Sequence, residues 1–222
     1  MRTRTRTVGV LIAAAVSAAL LTGCADDGWQ RARPAPAAVG ALEEGFRPAS
    51  APAPESTIDP AEGSWGSVAP GPGYRVVLVR AGVEHETRTL VAAVQRWAEQ
   101  ERVDLRVVDA DRDPDPIDAI VRAMDMRPDL VMTAGNALVD PLATVTANHL
   151  DRHFLVLGAE VAEPTANVTA VDWTGASFRG EGLGTPSGYD PATFTATRCG
   201  RAVRAGIAAV LSGLTGIVVW IE

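Results

Sequence analysis

Apolar residues recur in short continuous runs over the C-terminal two thirds of the chain. Each run is rich in valine, isoleucine and leucine and does not alternate with polar residues, which is typical of strands buried on both faces. Such strands belong to parallel sheets covered by helices on both sides. The six runs are Arg75–Val79, Leu105–Val108, Leu130–Thr133, Phe154–Leu157, Val168–Val171 and Ile217–Ile221.

Between most of these runs, apolar residues keep the spacing of an amphipathic helix. Asp115 is placed to cap the second helix, with Pro116 as its first residue. The predicted helices cover Thr87–Arg102, Ile117–Met124, Leu138–Val145 and Val203–Leu211.

Alternating strands and helices with short connections predict one three-layer α/β domain over residues 74–222. We expect about six mostly parallel strands in a Rossmann-like arrangement. The exception is Trp173–Thr197, a long stretch rich in Gly, Ser and Thr where a crossover helix would be expected. Loops of this length in compact domains are usually functional or poorly ordered.

The preceding residues, 25–73, are rich in Ala, Pro, Gly and Ser. Such a composition predicts an extended, semi-rigid tether, because it offers little apolar surface to offset the entropy of ordering. Trp29, Phe46 and Trp65 are the side chains that could dock back onto the domain.

The first 24 residues have the pattern of a bacterial export signal. Arg2, Arg4 and Arg6 precede an apolar run, Val8–Leu21, that is too short to span a bilayer. Leu21–Cys24 resembles the lipobox of bacterial lipoproteins, which implies cleavage before Cys24 and a lipid on its thiol. The alternative is an ordinary secretory signal that happens to end in cysteine.

These patterns predict a signal peptide over 1–23, a lipidated N-terminus and tether over 24–73, and a domain on the outer face of the cell membrane. The net charge of −7 argues against a nucleic-acid partner, since phosphates need clustered cations. Cys199 is expected to be a small packing residue at a helix start.

Several motifs resemble the first lobe of the basic membrane lipoprotein family, whose members are type I periplasmic-binding-protein-like receptors. The similarity extends over about residues 74–182, and the lipobox agrees with it. It implies a small polar, nucleoside-like ligand and an ABC permease as partner. The motifs are Thr133–Asn136, Asp151–Leu157, Asn167–Trp173 and Gly180–Gly182.

Two features depart from that family. Its members have two lobes around the ligand, whereas this sequence has the length of one, so a dimer or a partner would have to supply the other. The loop Ala81–Glu86 lacks the aromatic residue that stacks on a base in the family, and His85 is the nearest substitute.

Ligands of parallel α/β sheets collect outside the carboxyl ends of the strands. Gly135 and Asn136 place an amide and backbone N–H groups there, although a turn glycine and a helix cap explain them equally. The candidate ligand-binding residues are Gly82, Glu84, His85, Gly135, Asn136 and Asp172.

Other chemistry finds little support. Asp109–Asp113 has alternating carboxylates, but the glycine and glutamate of a calcium loop are missing. Glu84–Glu86 is an acid–base or metal half-site without a complementary motif, and no serine lies in a nucleophile elbow. We expect no enzyme activity, no metal and no cofactor.

Three functions remain open, of which a hydrolase ranks last. The first is a one-lobe solute-binding lipoprotein that serves an ABC importer. The second is a surface interaction or scaffold lipoprotein that has lost its ligand. In the second case we expect an exposed apolar patch around Trp173, Phe178, Tyr189 and Phe194.

Overall fold

A parallel β-sheet forms the centre of the computed structural model, which describes residues 28–176, 178–179 and 188–222. Cys24 and Gly180–Gly182 lie outside these residues. Within them, seven strands follow the order β1-β7-β6-β5-β4-β2-β3, and every neighbouring pair is parallel. The strands are β1 (Thr57–Ile58), β2 (Arg75–Arg80), β3 (Asp104–Asp109), β4 (Leu130–Ala134), β5 (Phe154–Leu157), β6 (Val168–Asp172) and β7 (Val218–Trp220).

Helices cover both faces of this sheet. The helices are α1 (His85–Glu101), α2 (Pro116–Asp125), α3 (Val139–Thr146) and α4 (Ala196–Leu211). Helices α1 and α4 pack together on one face, and α2 and α3 pack together on the other. Among the described residues, no helix combines the length and apolar character that crossing a bilayer requires.

The fold class predicted from the sequence is confirmed. All six predicted strands are present, and the first three predicted helices form within two residues of their expected bounds. The fourth, α4, ends at Leu211 as expected but begins at Ala196, seven residues before Val203 and inside the stretch predicted as a loop. The Asp115 side chain accepts a hydrogen bond from the N–H of Ile117 at 2.8 Å, and Pro116 begins α2 as expected. The seventh strand, β1, is an addition, because two residues are too short a run to show a pattern.

The segment 28–73 is packed against the domain, which differs from the tether that its composition predicts. Phe46 and Trp65 are buried and meet edge to face, with ring centroids 6.2 Å apart. Further along, Thr57–Ile58 adds a strand to β7. Most residues of this segment are small, and a few large buried side chains hold it in place. Its composition alone does not reveal this, because part of the stabilisation comes from residues elsewhere on the domain.

Trp29 fixes the beginning of this segment to the outer strand β3. Its side chain is 2% exposed, and its indole N–H donates a hydrogen bond to the Asp104 carboxylate at 2.6 Å. The guanidinium of Arg106 lies over the indole ring, 4.0 Å from its centroid. Burial, a charged hydrogen bond and a cation–π contact therefore act on one side chain.

Cys199 lies in the first turn of α4 and is fully buried. Burial raises the pKa of its thiol to about 12, which keeps it protonated at neutral pH. The packing role predicted for Cys199 agrees with this environment.

Trp29→Ala is expected to lower the free energy of unfolding by about 3 kcal/mol, since it empties a buried aromatic site. Trp29→Phe keeps a six-membered aromatic ring but loses the pyrrole part of the indole and its hydrogen bond, so a smaller loss of about 1–2 kcal/mol is expected. Urea denaturation followed by circular dichroism measures both.

The matched control in the same segment is Val39→Ala. Val39 is 55% exposed, so its truncation should change the free energy of unfolding by less than about 0.5 kcal/mol. If Trp29→Ala were as neutral as Val39→Ala, the packing of this segment would be contradicted.

Candidate functional site

The connections that follow β2 and β4 diverge at the carboxyl edge of the sheet. After β2 the chain passes through α1 to β3, whereas after β4 it passes through α3 to β5 on the opposite side. Because β2 and β4 are neighbours, the divergence leaves a crevice between their ends. Crevices of this kind are where open α/β sheets bind their ligands.

A cavity of about 260 Å³ fills this crevice. Its walls come from residues between Ala81 and Leu90, from Gly135–Ala137 after β4, and from Tyr189 and Phe194 in the loop before α4. We refer to it as the switch-point cavity.

Four of the six candidate residues lie around this cavity. Gly82, Glu84, Gly135 and Asn136 line it. His85 is exposed at the start of α1 and does not line the cavity. Asp172 is fully buried in β6, where its carboxylate accepts a hydrogen bond from the N–H of Trp173 at 2.8 Å. The structure therefore does not bring His85 and Asp172 into the site.

Gly135 allows the two walls to approach each other. Its φ is +119°, and a Cβ at this position would lie 2.1 Å from the carbonyl oxygen of Ala81. A side chain is excluded by both the backbone angle and the contact. The following 3-10 turn, Asn136–Leu138, has no side-chain cap, and Asn136 lies in the cavity wall.

Tyr189 connects the loop before α4 to the wall after β2. Its hydroxyl donates a hydrogen bond to Glu86 Oε1 at 2.9 Å, and Asn136 lines the same cavity from the other wall. Burial is the main cause that raises the pKa of the phenol, followed by the hydrogen bond to Glu86. The sequence pattern did not indicate that Glu86 and Tyr189 form a pair, since 103 residues separate them.

Two buried aromatic rings hold the loop that carries Tyr189. Trp173 and Phe194 are 0% and 1% exposed, and their centroids lie 4.9 Å apart. The indole N–H of Trp173 donates to Thr193 Oγ1 at 3.0 Å. The expectation of an exposed apolar patch around these residues is wrong, because their rings face the core. Tyr189 and Phe178 are each partly buried.

The electrostatic character of the cavity is acidic. Glu84 and Glu86 are its charged lining groups, and no basic side chain of the described residues lines it. Nearby, Arg80 is occupied by ion pairs with Asp109 and Asp111. The cavity therefore favours ligands that donate hydrogen bonds or carry positive charge.

The acidic loop at the end of β3 is neutralised by arginines. Asp109 and Asp111 pair with Arg80, and Asp113 forms two hydrogen bonds of 2.7 Å with the Arg122 guanidinium. Those hydrogen bonds lower the pKa of Asp113. Over 28–176, 178–179 and 188–222, no group of three His, Cys, Asp or Glu side chains is arranged to hold a metal ion.

No protein-family model and no curated protein matches this chain. Among solved structures, it is similar to an ABC transporter solute-binding protein from Aeropyrum pernix K1, with 18% identity and a TM-score of 0.39 over 47% of this chain and 29% of that chain. It is also similar to an ABC transporter solute-binding protein from Conexibacter woesei DSM 14684, with 19% identity and a TM-score of 0.38 over 46% of this chain and 36% of that chain. For a periplasmic ribose ABC transporter protein from the same organism, the identity is 16% and the TM-score 0.33, over 68% of this chain and 54% of that chain.

This chain thus spans between 29% and 54% of the length of these three proteins. The likeness is one of α/β architecture, and the fold assignment rests on the strand order of the chain itself.

The two tyrosines of the chain, Tyr74 and Tyr189, should ionise late. Burial raises the pKa of both, and the carboxylates of Asp129 and Glu86 add to it. Near-ultraviolet absorbance should therefore show little phenolate at pH 10, where a free tyrosine is about half ionised. In guanidinium, the same chain should titrate normally.

Because the folded state holds these protons more tightly, the contribution of the two tyrosines to the free energy of unfolding should be constant below about pH 10 and fall above it. Tyr189→Phe should remove one of the two late titrations. Half-ionisation of either phenol near pH 10 in the folded chain would contradict the buried hydrogen-bonded arrangement.

Proposed function

We propose that this protein is a lipid-anchored envelope protein that binds a small polar solute in the switch-point cavity. The observation that carries the proposal is that Glu86, Tyr189 and Asn136 come from three separate segments and line one opening, with a hydrogen bond between Tyr189 and Glu86. Convergent polar groups in a mostly apolar concave site are typical of small-molecule binding.

The charge and shape of the cavity support one class of ligand. The carboxylates of Glu84 and Glu86 accept hydrogen bonds from hydroxyl or amino groups and repel anions. The ring of Tyr189 offers the aromatic surface that the loop after β2 lacks. A neutral or cationic nucleoside-like solute fits these features, and a nucleotide does not.

The anchor and the partner rest on the sequence. We propose a lipid on Cys24, a location on the outer face of the cell membrane, and an ABC permease as the partner that the family resemblance implies.

Calorimetric titration of the purified chain with nucleosides, pentoses and nucleoside monophosphates tests the ligand proposal. We expect a nucleoside or pentose to bind, and the monophosphate to bind at least about tenfold more weakly, since about 1.4 kcal/mol of repulsion suffices. Glu86→Gln and Tyr189→Phe should each weaken the binding of the uncharged ligand.

Glu99→Gln is the matched control, because Glu99 lies on the same helix as Glu86 but is exposed at its other end. It should leave the affinity unchanged. Absence of binding across the whole panel would sink the solute-binding proposal. Binding that is indifferent to both cavity variants would place the ligand elsewhere.

The anchor is tested by Cys24→Ala in the expressing bacterium. We expect the unaltered chain in the membrane fraction and the variant outside it, since a lipid chain is stabilised in a bilayer by about 0.8 kcal/mol per buried methylene. Mass spectrometry of the N-terminal peptide should show the lipid on Cys24. An unmodified cysteine would overturn the lipid anchor.

A further inference from the structure

The first described residues are bound to the amino edge of the sheet, where β2, β3 and β4 begin. The Arg75 guanidinium, at the start of β2, donates hydrogen bonds to the carbonyls of Gly28 and Trp29 at 2.7 and 3.0 Å. Trp29 in turn donates to Asp104, the first residue of β3. Three polar contacts and a buried indole therefore hold residues 28 and 29 in place.

A second group of contacts follows within four residues. Arg33 donates to the carbonyl of Gly73 at 2.6 Å and pairs with Asp129 at 2.7 Å, just before β4. Arg127 donates to the carbonyl of Gln30 at 3.2 Å. The segment 28–33 is thus attached to the loops that precede β2 and β4.

The switch-point cavity lies at the opposite edge of the sheet. It is formed after the last residues of β2 and β4, whereas the segment 28–33 contacts the residues before or at their starts. A strand of six residues, such as β2, is about 20 Å long. The attached end of the chain and the cavity are therefore about one sheet length apart.

The distance between Cys24 and the attached segment is short. Four residues lead from Cys24 to Gly28, and a fully extended chain of that length spans at most about 14 Å. A flexible tether that extended to residue 73, as the composition predicts, would not hold the domain this close to Cys24.

From this we infer that the amino edge of the sheet faces the lipid bilayer and that the switch-point cavity opens away from it. The inference rests on the proposed lipid at Cys24. It assigns a membrane-facing surface to the starts of β2, β3 and β4, and it leaves the cavity accessible to solutes and to a partner from the side opposite the anchor.

Fluorescent labels on single introduced cysteines test this orientation in the lipidated chain on phosphatidylcholine vesicles with a headgroup quencher. His153→Cys labels the amino edge, just before β5, and Thr174→Cys labels the carboxyl edge, just after β6; both positions are exposed. The native thiol of Cys199 is buried and will not compete for the label. We expect the label at 153 to be quenched several-fold more strongly than the label at 174.

The controls are two insertions of the same flexible Gly/Ser segment of about 20 residues, whose end-to-end distance is roughly 25 Å. Placed between residues 27 and 28, it should abolish the difference between the two labels. Placed between Ser50 and Ala51, which are exposed, it should leave the difference intact, because residues 28–33 remain attached.

Equal quenching at 153 and 174 in the chain without an insertion would overturn the orientation. So would a difference that survives the insertion after residue 27. Failure of the lipid itself is recognised separately, since the chain would then not float with the vesicles at all.

Discussion

The helices cover both faces of the parallel sheet, so the outer strands are the part of the sheet that still needs protection. An outer strand presents unpaired backbone groups, and these invite pairing with other chains. One segment, residues 28–73, makes contacts at both ends of the strand order. Trp29 packs beside β3, and Thr57–Ile58 pairs with β7. The N-terminal segment is thereby part of the domain, and this fixes where the chain enters it.

The carboxyl edge of the sheet carries the polar groups of the candidate site. The central strands are mostly apolar, and polar side chains converge where the connections after β2 and β4 part. Gly135 lets the two turns touch, and the buried rings of Trp173 and Phe194 hold the loop that brings Tyr189 over the opening. A single lobe thus carries an acidic, aromatic-walled cavity made from its own residues.

The sequence was informative wherever the structure is local. Continuous apolar runs predicted six strands, and the strand-end rule predicted four residues that line the switch-point cavity, namely Gly82, Glu84, Gly135 and Asn136. It was uninformative where contacts join distant segments. Trp29 and Asp104 are 75 residues apart, and Glu86 and Tyr189 are 103 apart, so neither pair leaves a periodic pattern. The same reason hid β1, because Thr57–Ile58 becomes a strand by pairing with β7.

Hydrogen–deuterium exchange of the whole chain tests most directly whether residues 28–73 belong to the folded domain. The informative amides are those of Val39, Glu43 and Ala69, which donate to backbone carbonyls at 2.8 to 2.9 Å. We expect them to exchange at least about a hundredfold more slowly than in an unstructured peptide, as amides of a folded unit do. Exchange at the rate of a free peptide throughout this segment would contradict the packed arrangement and support the extended tether that the composition predicts.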